Sequence, residues 1–238
     1  MSSNGRSEAL LDVGLPVPLE IRPVRGARRL RLRFDDSRQI LKLTCPTRTS
    51  RRAALQWALD QREWVEREVA RALPAEPFVP GAIIPVGGAE TRLVWSESAP
   101  RTPALEAGEL RCGGPPEAFA RRIETFLKRR AVETMSREVA EYARIAGTSA
   151  RAVSVGDAAT RWGSCSSSGG IRLSWRLILA PPAVRRYVVA HEVAHLVHLH
   201  HGPEFKALEA RLFGFGVSEA KGLLRAWGPR LRRLGRGR

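Results

Sequence analysis

The sequence predicts an α+β protein in which an antiparallel, strand-rich N-terminal part precedes a helix-rich part built over a second small sheet. Three observations predict it. Apolar and charged residues alternate with period two between Leu19 and Cys45. Apolar residues recur at helical spacing from Phe119 to Tyr142. An apolar helical stretch, Val188 to Leu196, follows the proline pair Pro181 and Pro182. The expected organisation is a flexible leader over 1–17, a β-rich region with one helix over 18–112, a helical part over 113–228 and a basic tail over 229–238.

Residues 1–17 are polar and mixed, without an apolar period, and read as a loose leader. The stretches LEIRPV, RRLRLRF (28–34) and QILKLTC (39–45) then read as strands, separated by Gly26 and by Asp35, Asp36 and Ser37. Their expected arrangement is an antiparallel meander with an arginine-rich exposed face. Ser50 is placed to cap a single helix reaching Ala72, with Leu55, Ala58, Val65 and Val69 facing a core, until Pro74, Pro77 and Pro80 end it. Between 82 and 112 the runs IIPVGG and TRLVWS read as further strands or a hairpin.

A long helix is expected after Pro115 and Pro116, with Phe119, Ile123, Phe126, Leu127, Met135, Val139 and Tyr142 on its core face and Gly147 as its C-cap. The segment RAVSVG from Arg151 reads as a strand, Cys165 to Gly170 as a Ser/Gly-rich turn, and IRLSWRLIL as a second strand stopped by Pro181. A helix follows over 182 onward, then a last helix ending in the arginine-rich tail.

Composition narrows the classes. With 43% hydrophobic and 27% charged residues in a chain of 238, a folded protein is expected rather than a disordered or fibrous one. The opening residues lack the apolar core of a secretory signal, and no stretch approaches the roughly 18 apolar residues of a membrane span. A cytoplasmic location is therefore expected. Cys45, Cys112 and Cys165 are odd in number and widely spaced, which argues against a disulfide framework or a cysteine zinc cluster. The formal charge of +16 raises nucleic acid as a partner. Because all basic residues except Lys42, Lys128, Lys206 and Lys221 are arginine, a compositional bias competes with selection for phosphate binding, and nucleic acid is a possible but not the favoured partner.

All five histidines fall between His191 and His201, inside YVVAHEVAHLVHLHHGPEF. The first two form H-E-x-x-H. On a helix, residues four apart are separated by one turn, about 5.4 Å, so two imidazoles on one face can converge on a zinc ion. Glu192 then stands beside the metal rather than on it, the position of a general base acting on water that the metal activates. A catalytic zinc takes a third protein ligand. His201 is the expected one, because Gly202 and Pro203 should end the helix and let the chain turn back. His198 lies about 10.5 Å along the helix from His191, and His200 or a distant carboxylate such as Glu219 are weaker alternatives. One zinc per chain is expected, with Asp157 and Glu204 as carboxylates that can orient ligand imidazoles.

From Arg161 to Phe205 the sequence resembles the YgjP-like metallopeptidase family, a bacterial branch of the zincins related to the WLM and SprT-like proteins. The resemblance rests on R-W-G-S-C at 161–165, W-R-L-I-L-A-P at 175–181, H-E-x-x-H at 191–195 and the third histidine six residues on, His201. It implies that 113–228 is a zincin-like catalytic domain, with a small sheet packed on the H-E-x-x-H helix, and that the activity is zinc-dependent peptide hydrolysis. It also suggests that the Arg161 to Ser174 hairpin is a shelf for an extended substrate, with Arg161 and Ser164 as the substrate-binding residues. Trp162 and Trp175 read as packing residues and Cys165 as a small buried thiol. His198 stands where metzincins carry a glycine, and no downstream methionine supplies their turn, so a true metzincin is excluded.

Two other functions use the same residues. One is metal-dependent hydrolysis of nucleotides or other phosphate substrates, for which the arginines speak and the lack of a P-loop speaks against. The other is a basic, nucleic-acid-associated module in which zinc is structural.

Overall fold

The computed structural model describes residues 10–36, 38–71, 74–158, 161–214 and 216–237. It is a mixed α+β structure that divides into two compact units, Met1–Glu76 with Arg236–Arg238, and Pro77–Gly235.

In the first unit, β1 (Leu19–Val24), β2 (Arg31–Asp35) and β3 (Ile40–Pro46) form one sheet in the order β1-β3-β2. This is not the expected meander: β1 runs parallel to β3, and β2 alone is antiparallel to it. Pro23 lacks the N–H that a central strand must donate, so β1 keeps to an edge. The centre goes to β3, where Ile40, Leu41, Leu43 and Cys45 are all buried. The expected single helix is two, α1 (Arg51–Asp60) and α2 (Arg62–Arg71). Ser50 Oγ accepts from Ala53 N at 3.2 Å, as its N-cap role requires. A 3₁₀-type bond from Gln61 N to Ala58 O breaks the run, and Val65 beyond it joins Ala54 and Ala58 in the core. Ala72, where the single helix was expected to end, and residues 1–9 of the expected leader lie outside the described residues. The rest of that leader is tied down, with Leu11 bridging Leu19 and Leu15 buried.

The second unit opens with β4 (Ile83–Val86), β5 (Ala89–Trp95), β6 (Ala104–Glu106) and β7 (Glu109–Cys112), a sheet in the order β4-β5-β7-β6. Sequence reading groups these strands with the N-terminal ones. Their buried residues, Ile84, Leu93, Leu110 and Cys112, instead share a core with Phe119, Ile123 and Leu127 of α3 (Phe119–Ala146), so the division falls at Glu76. The long helix ends at Gly147 in the left-handed conformation, φ 69°.

A third sheet, β8 (Ala152–Gly156), β9 (Gly163–Cys165) and β10 (Gly170–Ser174), has the order β8-β10-β9. The chain leaves it at Ser174 rather than running as strand to Leu179, because Trp175–Ile178 wind into a buried 3₁₀ turn. That turn holds Arg176, whose guanidinium pairs with Asp157 at 2.6 Å, donates to the carbonyls of Leu231 and Leu234, and stacks on Trp175 at 4.6 Å. Three helices complete the unit: α4 (Pro182–Ala194), α5 (Pro203–Phe213) and α6 (Val217–Arg233). The last carries helix into the segment expected as a basic tail, and Leu231 and Leu234 there are fully buried. Among the described residues, no helix is long and apolar enough to cross a membrane.

Candidate functional site

The site is built on α4. Pro182 opens this helix at a position where a missing N–H costs nothing. Because α3, α5, α6 and the β9 strand all pack on it, most of its sides are apolar: Val184, Val188, Val189, Ala190, Val193 and Ala194 are buried. The polar residues His191 and Glu192 therefore occupy a helix that otherwise has no use for them. The helix stops earlier than Gly202 and Pro203 would stop it. Bonds from Leu196 N to Val193 O and from Val197 N to Ala194 O tighten its last turn into 3₁₀ form, with His195 as its C-cap. Gly202 and Pro203 instead start α5, as its N-cap and first residue.

The loop between the two helices returns His201 to the end of α4. Side-chain nitrogens of His191, His195 and His201 lie within 4.8 Å of one another, and the Nε2 atoms of His191 and His201 are 3.3 Å apart. Two nitrogens bound tetrahedrally to one zinc at 2.0–2.1 Å would stand about 3.3 to 3.4 Å apart, so the His191 and His201 pair fits that ion, with His195 as the third donor of the group. The other ring nitrogens are engaged. His191 Nδ1 meets a carboxylate oxygen of Glu209 at 2.7 Å, and His195 Nδ1 lies 3.1 Å from the His198 carbonyl. Such partners fix the tautomer and leave Nε2 free to ligate. Phe205, fully buried on α5, packs its ring 4.6 to 5.1 Å from all three imidazoles. Burial holds His195 below the usual imidazole range, which favours the neutral form that a metal needs.

Glu192 is 6% exposed and is not among the converging nitrogens. It lies against the backbone of β9, where a Cβ on Gly163 would come 2.6 Å from Glu192 Cγ and closer still to its carboxylate. Burial raises its pKa to about 7, against the pull of Arg161. A carboxylate with that pKa can both take and return a proton near neutrality.

An open cleft of about 270 Å³ joins these groups, lined by Gly163 to Cys165 on one side, by His191, Glu192 and His195 below, and by Leu199. β9 is the edge strand of its sheet. Ser174 N donates to the Trp162 carbonyl at 2.7 Å, Ser166 N to the Gly170 carbonyl at 2.9 Å, and Ser164 is registered with Arg172. Alternate residues bond inward along an antiparallel strand, so the backbone groups of Gly163 and Cys165 point to the open edge.

The structure brings Arg161 and Ser164 to a second, small cavity of about 40 Å³ that adjoins Gly163, and Ser164 also lines the main cleft. Cys165 is half-buried in the cleft, its thiol raised by burial and by Glu192. His198 lies 3.6 Å from Glu204, while Trp162 packs against Gly228 and under Arg232. Of the two carboxylates that sequence reading offered for orienting a ligand imidazole or for a loop or surface place, Asp157 pairs with Arg176, and exposed Glu204 faces His198.

The orienting carboxylate is Glu209, which sequence reasoning missed. It also accepts from Tyr187 Oη at 3.1 Å and pairs with Lys221 at 3.3 Å. Burial works against its charge, but His191 and Lys221 outweigh it and hold its pKa below the usual range. A signal was present: Phe205, Leu208, Glu209 and Leu212 share the buried side of α5, and a carboxylate on an apolar face needs a partner.

No curated protein and no solved structure matches the chain. A family model described as YgjP-like, metallopeptidase domain, matches residues 28–225. That match covers most of the sequence and takes in the helix, loop and strand that form the cleft, and such a family implies a divalent metal. The chain thus belongs to the YgjP-like metallopeptidase domain family.

Proposed function

We propose that the protein is a zinc-dependent peptidase in which His191, His195 and His201 hold one metal ion and Glu192 is the general base. The observation that carries this reading is the convergence of three imidazole donors, with an Nε2 to Nε2 separation of 3.3 Å, beside a buried carboxylate that makes no such contact. A bound zinc ion would supply Lewis acidity toward the scissile carbonyl and the attacking water.

The chain's own residues do the rest. Glu192 takes a proton from the attacking water and returns it to the leaving amine, for which a pKa of about 7 is well matched. Glu209 fixes the tautomer and ring orientation of His191. An extended peptide substrate pairs with the outward backbone groups of Gly163 and Cys165, as an added strand on the β9 edge. Arg161 and Ser164 contact it from the adjoining cavity, Arg161 through a carbonyl or carboxylate oxygen. Free thiols at Cys45, Cys112 and Cys165 accord with a cytoplasmic setting.

Metal content by mass spectrometry, run on wild type beside His195→Ala and Glu192→Gln, tests the reading together with cleavage of a peptide library. The expected result is one zinc in wild type and in Glu192→Gln, little in His195→Ala, and cleavage by wild type alone. A wild type that binds no divalent metal under reducing conditions, or a Glu192→Gln variant that cleaves as fast as wild type, overturns it.

A further inference from the structure

The charge of the first unit is segregated along its sequence. Residues 19–46, the three strands and their connections, hold 8 basic and 3 acidic side chains, a net of +5, whereas residues 51–71, its two helices, hold 5 basic and 4 acidic, a net of +1. A compositional preference for arginine would raise both halves alike. Strand pairing then gathers the excess on one surface. Leu19, Ile21, Leu41, Leu43 and Cys45 point to the helices and form the core, so the alternate residues face outward. Registers of Arg22 with Thr44 and of Thr44 with Arg31 place Arg22 and Arg31 on either side of the central strand. Two strand spacings separate them, about 10 Å. Arg33 follows Arg31 on the same strand, about 7 Å along.

The acidic residues within reach are already engaged. Glu20 pairs with Arg38 at 3.5 Å and Asp35 with Lys42 at 2.5 Å. Arg22, Arg31 and Arg33 are exposed, and among the described residues no acidic partner meets any of them. Arg25, Arg28 and Arg29, exposed in the connection from β1 to β2, extend the patch along one edge. Like charges held this close repel, and a ligand of opposite sign relieves the repulsion.

We propose that this sheet face binds the phosphate backbone of duplex nucleic acid, without base selectivity. Guanidinium groups favour phosphate through bidentate hydrogen bonds. A duplex is favoured over a single strand because this face exposes no aromatic ring on which bases would stack. It is favoured over an anionic membrane because no large apolar side chain of the face is exposed to enter a lipid layer. The face lies on the first unit, away in sequence from every residue of the peptidase reading, and stands or falls independently of it.

The test is fluorescence anisotropy with a labelled, mixed-sequence DNA duplex of about 25 base pairs, titrated from about 50 to 200 mM salt. Full-length wild type is compared with Arg22→Ala/Arg31→Ala/Arg33→Ala and with a charge-matched control on α3, Arg121→Ala/Arg130→Ala/Arg137→Ala. The sheet variant should bind at least about tenfold more weakly, and its log K against log salt slope should be shallower by about 2 to 3, near 0.9 for each phosphate that is no longer neutralised. The control should bind like wild type. Unchanged circular dichroism and zinc content show that both variants are folded. Equal loss in both variants reduces the effect to net charge and overturns the proposal, as does wild-type binding to phosphatidylserine vesicles but not to the duplex.

Discussion

At the residue scale, Gly163 carries the most specific demand in the cleft. Its role is set by what a side chain would strike: a methyl group at this position would lie 2.6 Å from Glu192 Cγ, in the space that this buried side chain occupies against the β9 backbone. Gly163→Ala should displace Glu192 while leaving the three imidazoles in place. Displacement of a catalytic group by about 1 Å costs on the order of 100-fold in rate. The expected result is a fall in kcat of that size with zinc content unchanged. Full activity in the alanine variant would show that Glu192 accepts another rotamer and that the close approach is without consequence. The same scale shows what was legible in the sequence. Glu192 and the three histidines share a pattern whose spacing is chemical, so they can be picked out without a fold. Gly163 and Glu209 act across α4 from strands and helices distant in sequence, and their identity follows from a neighbour that spacing alone does not reveal.

At the element scale, α4 owes its position to α3 as much as to its own periodicity. Arg185 on α4 and Glu138 on α3 form a bidentate pair, with Arg185 Nε and a terminal guanidinium nitrogen 2.9 to 3.1 Å from the carboxylate oxygens, both side chains about nine-tenths buried. Removing one partner strands a buried charge, which typically costs about 3 to 5 kcal/mol, whereas an apolar pair of similar volume is often neutral. Arg185→Met should therefore lower unfolding stability by about 3 to 5 kcal/mol, and Glu138→Leu/Arg185→Met should recover most of it, both read from urea denaturation. Equal losses in the single and double variants would mean that the pair does not govern the packing of α4 on α3. Helices were the legible elements, since the apolar stripe and the Gly147 cap of α3 are local properties of the chain. Strand order was not, because parallel pairing of β1 with β3 depends on which strand is buried on both edges. The 3₁₀ turn at Trp175–Ile178 escaped for a related reason: W-R-L reads like a strand, and Arg176 takes its place from Asp157 and from the carbonyls of Leu231 and Leu234, more than 50 residues on.

At the scale of the whole molecule, the division into two units separates the two proposed sites. His191, Glu192, His195, His201, Glu209 and the β9 edge all belong to Pro77–Gly235, together with a continuous core from Phe78 to Leu234. The arginine face belongs to the first unit, whose own core runs from Leu15 to Val65. A fragment spanning residues 77–235 contains every interaction described for the cleft, including the C-terminal carbonyls that hold Arg176. It should unfold cooperatively, bind one zinc with an affinity within about tenfold of the full chain, since every ligand and orienting partner is retained, and fail to bind a DNA duplex. Calorimetry with zinc and anisotropy with the duplex check the two halves of this expectation. A fragment that folds but loses zinc would mean that residues 1–76 complete the cleft. A fragment that still binds the duplex would move the phosphate site onto the peptidase unit, whose own arginines would then have to account for it.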